Sequence, residues 1–325
     1  MRSQRRLQIK KIPIRPHPLS LSYEERGQKC MQLSIITVTT NTATYQKDIF
    51  RQCLASVQGE LRDPHLTSPH KGEGIEGEHF VSDNGSNDDT VAMIKKEFPN
   101  VKVIENGKNL GFGGGNNTAF YKSTGEFVLF LNPDNVVRPG SLKILYDYML
   151  AHPKVGIVGP KLVDQFGKLN KDALPRRFPK LLDQICVLLK IGRVFPACLK
   201  KYLYSDLDFN QKQAVDSVRG SFMFVRRELL DKLGWGFDPR YFIWFDDADL
   251  CREAWTKGYK VVYNPSVECI DYVGQTFRNI PSVQKQKWFT DSMVKYFRKW
   301  EGWKWVIVAI LRPIAIFITW IFTKF

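Results

Sequence analysis

Short apolar runs that each end on polar residues, with helical patterns between them, restrict the folds open to this chain more than any other feature. Residues 33–39 (LSIITVT), 79–82 (HFVS), 101–105 (VKVIE), 127–131 (FVLFL) and 155–158 (VGIV) are brief and rich in β-branched or aromatic residues. Mostly apolar without alternation, they read as strands of a parallel sheet covered on both faces. Between them, residues 48–57 carry Ile49, Cys53, Leu54 and Val57 at helical spacing, and 90–98 and 141–151 also read as helices. This alternation predicts an α/β fold: a Rossmann-like, mostly parallel mixed sheet flanked by helices. In such sheets ligands collect at the carboxyl ends of the strands. The polar residues that close each run are therefore the candidates for chemistry.

Residues 59–78 contain four glycines and two prolines and read as a mobile loop insertion. His65, His70 and His79 in or beside it match no standard metal spacing and are expected to have no such role. Beyond residue 160 the pattern predicts a helical flap on the acceptor side at 180–191, a strand at 217–225, a helix that begins with acids at 246–258, and a strand at 261–264.

The 325-residue chain has a net charge of +15, and the excess is at its ends. Residues 1–30 hold eight Lys/Arg against two acids, as do residues 285–325, so the stretch between them carries only about +3. Nucleic-acid binding would spread basic charge over a working face; charge at the ends, beside hydrophobic sequence, favours an anionic membrane surface. Residues 1–30, with three prolines and no apolar segment of a secretory signal, read as a disordered tail, and Met31 is expected to be the native start. Phe289, Met293, Tyr296, Trp300 and Trp303 share one helical stripe, flanked by Lys287, Lys295, Arg298 and Lys299, which predicts an amphipathic helix lying in a membrane interface. Residues 306–322 are apolar but interrupted by Arg312-Pro313, which predicts in-plane or re-entrant insertion rather than a span; the alternatives are packing on the domain or on a second copy in a homodimer. The domain is thus expected at 31–284, with 285–325 as membrane-associating helices that can be removed to leave a soluble protein. The six scattered cysteines suggest reduced thiols in a cytoplasmic compartment.

Four groups carry candidate chemistry. Thr39, Thr40 and Asn41 end the first strand and Asp83 the second; an aspartate there can accept from a pyrimidine imide N–H, or make a turn with Asn84, Gly85 and Ser86. Asn109–Asn117 is glycine-rich, which lets backbone approach a ligand closely, though it is not a dinucleotide fingerprint. Asn132-Pro133-Asp134 offers oxygen ligands to a hard cation. Asp246, Asp247 and Asp249 crowd three carboxylates into four residues at a helix start, which raises the pKa of at least one and suits a general base.

Taken in order, SIITVTTN, VSDNGSNDDT, NLGFGGGNN, FLNPDN and RGSFMFVRRELLDKLGWGFDPRYFIWFDDADLCREAWTKGY resemble inverting family 2 glycosyltransferases of GT-A fold, in their rhamnosyltransferase-like branch, over roughly residues 31–300. The resemblance implies that Asp83 contacts the base, that Thr39 and Asn41 line the nucleotide pocket, and that Asn109, Gly111 and Asn116 form the loop near the donor. Asp134 matches the last acid of the metal-binding DxD motif, with Asn132 replacing the first, and Mg²⁺ or Mn²⁺ is the implied cofactor. Asp247 is expected as the base, Asp246 as second choice, and Asp249 as support. Arg219 and Gly220 are expected to shape the acceptor side, and Trp244 to stack on sugar. The branch often carries His-x-x-Gly-x-Ser after the last strand; here the segment is Asp271-Tyr272-Val273-Gly274-Gln275-Thr276. Asp271 can ligate a cation in the histidine's place but adds negative charge near a diphosphate.

The implied activity is transfer of a sugar, with inversion, from dTDP-rhamnose or a UDP-sugar to a glycan or lipid-linked acceptor at the inner face of the cell membrane, in cell-envelope polysaccharide synthesis. A non-catalytic sugar-nucleotide-binding scaffold is the alternative. A nucleotidyltransferase is disfavoured because the Arg- and Lys-bearing glycine loop it needs after the first strand is missing.

Overall fold

The computed structural model describes residues 33–61, 75–272 and 280–323. The expectations for residues 1–30 and for most of the 59–78 insertion fall outside these. In chain order the elements are β1 (Leu33–Thr39), α1 (Thr42–Tyr45), α2 (Lys47–Glu60), β2 (Gly77–Asp83), α3 (Thr90–Glu97), β3 (Lys102–Glu105), α4 (Gly111–Phe120), β4 (Phe127–Leu131), β5 (Asn135–Val137), α5 (Ser141–Ala151) and β6 (Val155–Val163). There follow α6 (Leu181–Leu188), β7 (Gln213–Ala214), β8 (Phe222–Arg226), α7 (Arg227–Leu233), α8 (Asp246–Thr256), β9 (Lys260–Asp271), α9 (Ser282–Trp300) and α10 (Trp305–Phe322).

The strands form one sheet in the order β3-β2-β1-β4-β8-β6-β9-β5, with β7 beside β9. β1 pairs parallel with β2 and β4, and β2 with β3. β8 enters antiparallel to both β4 and β6, so the sheet is mixed from that point onward. Alternation along each strand feeds two cores. Leu33 and Ile35 of β1, Phe127 and Leu129 of β4, and Phe222 and Phe224 of β8 meet α2, α3 and α5 on one face. Ile36, Val128, Phe130, Met223 and Val225 meet α4, α7 and α8 on the other. Each such side chain fully buried contributes about 1.5–3 kcal/mol. His79 on β2 is buried beside the Thr37 hydroxyl (Nε2 to Oγ1, 3.0 Å), and burial lowers its pKa to about 3. It is a neutral core histidine.

The aromatic stripe of α9 does not face a membrane. Met293, Tyr296 and Phe297 are fully buried against Tyr241, Phe245 and Leu188 in a third core, and only Trp303, past the helix end, is largely exposed (70%). A basic amphipathic pattern is the same for a helix on a bilayer and one on its own domain. Here Lys299 decides, reaching Asp238 (3.0 Å), Asp249 (2.7 Å) and Glu253 (2.7 Å). A boundary after residue 284 therefore cuts through a packed unit.

α10 is a continuous helix despite Pro313. Proline removes one backbone hydrogen bond without forbidding the helix. Val308 and Ala315 pack toward α9, and Arg312 reaches Asp291 of α9 at 3.6 Å. The opposite face, Val306, Ile310, Ile314, Phe317 and Ile321, is exposed at helical spacing. Gly302–Phe322 is long and apolar enough to cross a membrane by length and composition.

Candidate active site

The ends of β4 and β9, the 217–221 loop and the start of α8 enclose a cleft of about 220 Å³. Asn132, Asp134, Arg219, Trp244, Asp246, Asp247 and Asp271 all line it. Asp134 and Asp271, 137 positions apart in sequence, are joined by strand pairing. Asn135 is in register with Asp271, and the Tyr272 N–H donates to the Asp134 carbonyl at 3.0 Å. The Ser221 hydroxyl donates to Asp271 (3.4 Å), and the Asn132 N–H to the Ser221 carbonyl (2.9 Å). Among the described residues no group of three or more His, Cys, Asp or Glu forms a closed cage. Two carboxylates and an amide oxygen in one cleft suit a hard cation that takes its remaining ligands from phosphate and water, as Mg²⁺ does.

The acids of α8 occupy different environments. Asp246 is buried, and desolvation first, then the Asp247 charge, raises its pKa to about 8. Its Oδ1 accepts from the Asp247 N–H (3.0 Å), while among the described residues Oδ2 has no hydrogen-bond partner. Asp247 is more accessible. Its Oδ2 accepts from the Gly220 N–H (3.1 Å), with Arg219 at 3.8 Å, and its Oδ1 accepts from the Ala248 N–H (2.8 Å). Asp247 also lines a neighbouring pocket with Arg176, Tyr202 and Trp244. Asp249 is not in the cleft. It points into the domain, where Lys299, the Trp300 indole N–H (2.6 Å) and the Tyr241 hydroxyl (3.2 Å) hold it. Asp249, expected to support the site, is an anchor for α9 rather than a lining residue.

That anchor shapes the site. Trp244 and Phe245, immediately before the acids, both have left-handed backbone (φ 63 and 62), which is costly for large residues. Helix α9 secures them. Phe289 packs on both rings, Tyr296 on Phe245, and the Ser292 hydroxyl donates to the Ile243 carbonyl at 2.7 Å.

At the far end of the sheet the predicted nucleotide residues are brought together, but much of their bonding is internal. Asp83 accepts from the N–H groups of Gly85 (3.1 Å) and Ser86 (2.9 Å) and from the Ser86 hydroxyl. The Asn41 N–H donates to Ser86 Oγ (2.7 Å), its side chain accepts from the Asn87 N–H (2.9 Å), and Thr39 meets Thr42. Asn109 accepts from the Gly111 N–H (2.8 Å), and Asn116 donates to the Phe112 carbonyl (2.9 Å). The glycines serve packing: a Cβ on Gly111 (φ +76) would lie 2.2 Å from the Phe242 carbonyl, and one on Gly115 2.8 Å from Val38. Close approach is thus used against protein. Sequence reasoning missed Ser221, Asn170 and Asp172, which also line the cleft. No motif marks them, because a strand pairing and a loop bring them in.

With this geometry established, comparison with known proteins places the chain. The family model described as glycosyl transferase family 2 matches residues 34–234. The chain belongs to this family. Among its relatives are rhamnosyltransferases. The N-acetylglucosaminyl-diphospho-decaprenol L-rhamnosyltransferase of Mycobacterium tuberculosis is 28% identical over 237 residues, 69% of this chain and 76% of that protein. Rhamnosyltransferase WbbL of Escherichia coli is 27% identical over 231 residues, 68% and 83% of the two. Among solved structures, mannosyltransferase PcManGT of Pyrobaculum calidifontis in complex with GDP-Man and Mn²⁺ aligns with TM-score 0.54 at 18% identity, over 90% of this chain and 74% of that one. GalNAc-T7 with UDP, GalNAc and Mn²⁺ gives 0.56 at 15%, over 85% and 48%. These likenesses establish the GT-A fold. The α8 acids of this glycosyltransferase lie beyond the segment its family model matches.

Proposed function

We propose that this glycosyltransferase moves a sugar from a nucleoside diphosphate donor, dTDP-rhamnose or a UDP-sugar, to a lipid-linked glycan of the cell envelope, with inversion. The observation that carries the reading is one cleft lined both by Asp134 and Asp271 and by Asp246 and Asp247. A divalent cation, Mg²⁺ or Mn²⁺, held by Asp134 and Asp271 with Asn132 beside them, would neutralise the departing diphosphate. Asp247, the more accessible acid, takes the proton of the acceptor hydroxyl. The freed oxygen bonds to the anomeric carbon as the bond to the diphosphate breaks, and the nucleoside diphosphate leaves with that electron pair. Asp246, its pKa raised to about 8, remains protonated beneath Asp247 at neutral pH and spares it a second adjacent charge. Thr39, Asn41, Asp83, Asn109, Gly111 and Asn116 form the base and ribose end. Trp244 and Arg219 face the acceptor.

The exposed apolar face of α10 supports peripheral attachment to the cytoplasmic side of the membrane, in-plane along the domain. A second copy covering that face in a homodimer is the rival, and sedimentation with and without lipid vesicles separates the two. The central test is calorimetry of UDP and dTDP with and without Mn²⁺. Binding should require the metal and be lost in Asp134→Ala. Failure of both nucleotides to bind, with and without Mn²⁺, would favour a non-catalytic scaffold. A product with retained anomeric configuration would exclude direct displacement.

A further inference from the structure

Beside the catalytic cleft lies a second cavity, which the chemistry above does not use. It measures about 490 Å³, within the range of small-molecule sites, and is lined by Lys190, Arg193, Lys285, Ser282, Thr319 and the rings of Phe289 and Phe322. Trp244, two positions before Asp246, borders both cavities.

Its chemistry is that of an anion site. Lys190 and Arg193 flank a single 3-10 turn, in which residues three apart eclipse one another. Both cations therefore stand over the same ring, Phe322, at 4.7 and 5.3 Å. Among the described residues neither side chain forms a salt bridge, and the contact each makes is with this ring. Burial, then the charge of Arg193, lowers the Lys190 pKa, as expected of two like charges held together. Thr319 is buried (6% exposed) in this wall, and among the described residues its hydroxyl has no hydrogen-bond partner. Two cations without counter-ions and an unused buried hydroxyl call for a ligand with several strong acceptor oxygens. The last turn of α10, with its exposed apolar face, supplies part of the same wall.

We infer that this cavity binds the phosphate or diphosphate that joins the acceptor sugar to its lipid carrier, with the carrier chain running out along α10. The inference rests on the transferase reading and extends it to the acceptor. The lipid-proximal phosphates sit on Lys190, Arg193 and Thr319, which leaves the acceptor sugar to cross Trp244 toward Asp247. The polar link is thereby held at the membrane surface and the reactive hydroxyl at the base.

The test uses the full chain in detergent micelles and compares binding of undecaprenyl diphosphate with that of undecaprenol. A charge-assisted contact is worth about tenfold in affinity, so the native protein should prefer the diphosphate by on the order of a hundredfold with both cations in place. The double variant Lys190→Asn, Arg193→Gln should prefer it by less than about threefold. Asparagine tolerates the left-handed backbone of Lys190 (φ 55). Thr319→Val, which keeps shape, should lose a few-fold. A native protein without the preference, or a double variant that retains it, overturns the inference. So does a double variant that loses binding to phosphatidylglycerol vesicles while keeping the diphosphate preference, since the cations would then serve bilayer headgroups. Mn²⁺-dependent nucleotide binding, measured on the same samples, should be unchanged in every variant. Its absence from the native protein would sink the transferase reading, while a diphosphate preference would still leave the cavity assigned.

Discussion

Asp246→Asn should make the protein more stable, by an amount that depends on pH in a defined way. Asparagine has the shape of the protonated acid but cannot ionise. The Asp246 carboxyl titrates near 8 in the folded protein against an ordinary value of 3.8. Between these values the native state holds a proton that the unfolded chain has released, so native binds more protons and stability must fall as pH rises. The deficit relative to asparagine is absent below about pH 4, reaches about 4 kcal/mol at pH 7 and levels off near 6 kcal/mol once the folded pKa is passed. Urea unfolding of both proteins from pH 5 to 9, in the same detergent, measures the difference, from which titrating groups distant from Asp246 cancel. Curves that stay parallel over that range would refute the argument, because an Asp246 that is ionised in the fold at pH 5 gives no slope. Activity adds a second reading. Asp247→Asn should lower kcat by about 10²–10⁴. Asp246→Asn should keep much of it and flatten the pH profile near 8.

Lys299→Met should cost about 3–5 kcal/mol, seen as a lower urea midpoint, because the buried Asp249 would lose its cation while Asp238 kept only Arg240. It should also lower activity in the surviving folded protein, since α9 holds Trp244 and Phe245. Gly111→Ala meets the Phe242 carbonyl and a left-handed φ, and should cost at least about 2 kcal/mol, with weaker nucleotide binding in calorimetry. A chain ending at Glu301 should stay folded, bind nucleotide and leave the membrane fraction. One ending at Gln284 should fail to fold, because Met293, Tyr296 and Phe297 complete a core.

Where the chain folds locally, its sequence is direct. β1, α3, β3, β4 and α5 lie within a residue or two of the pattern, since burial on both faces and helical periodicity are local signals. Four of the acids that line the cleft, Asp134, Asp246, Asp247 and Asp271, were legible too, because strand ends and helix starts can be read from the sequence, whereas Asp172 was not. The reversal of β8, the long β9 and the β5 pairing were not, as strand direction and partner depend on the whole sheet. That Asp249 acts from outside the cleft was not legible either. Three acids at one helix start look alike in sequence, yet Asp247 and Asp249 point about 200° apart around the helix, so Asp247 reaches the cleft while Asp249 faces Lys299 on α9.

The sequence by itself determined the α/β class, the family and the residue types of the catalytic cleft, because those depend on local pattern and on motifs kept in order. Only the tertiary structure decided that the α9 stripe is core, that α10 carries the exposed apolar face, and that Lys190 and Arg193 meet at the mouth of a cavity shared through Trp244. An amphipathic helix specifies that one face will be covered but not by what, and the answer came from buried acids some 50 residues earlier in the chain.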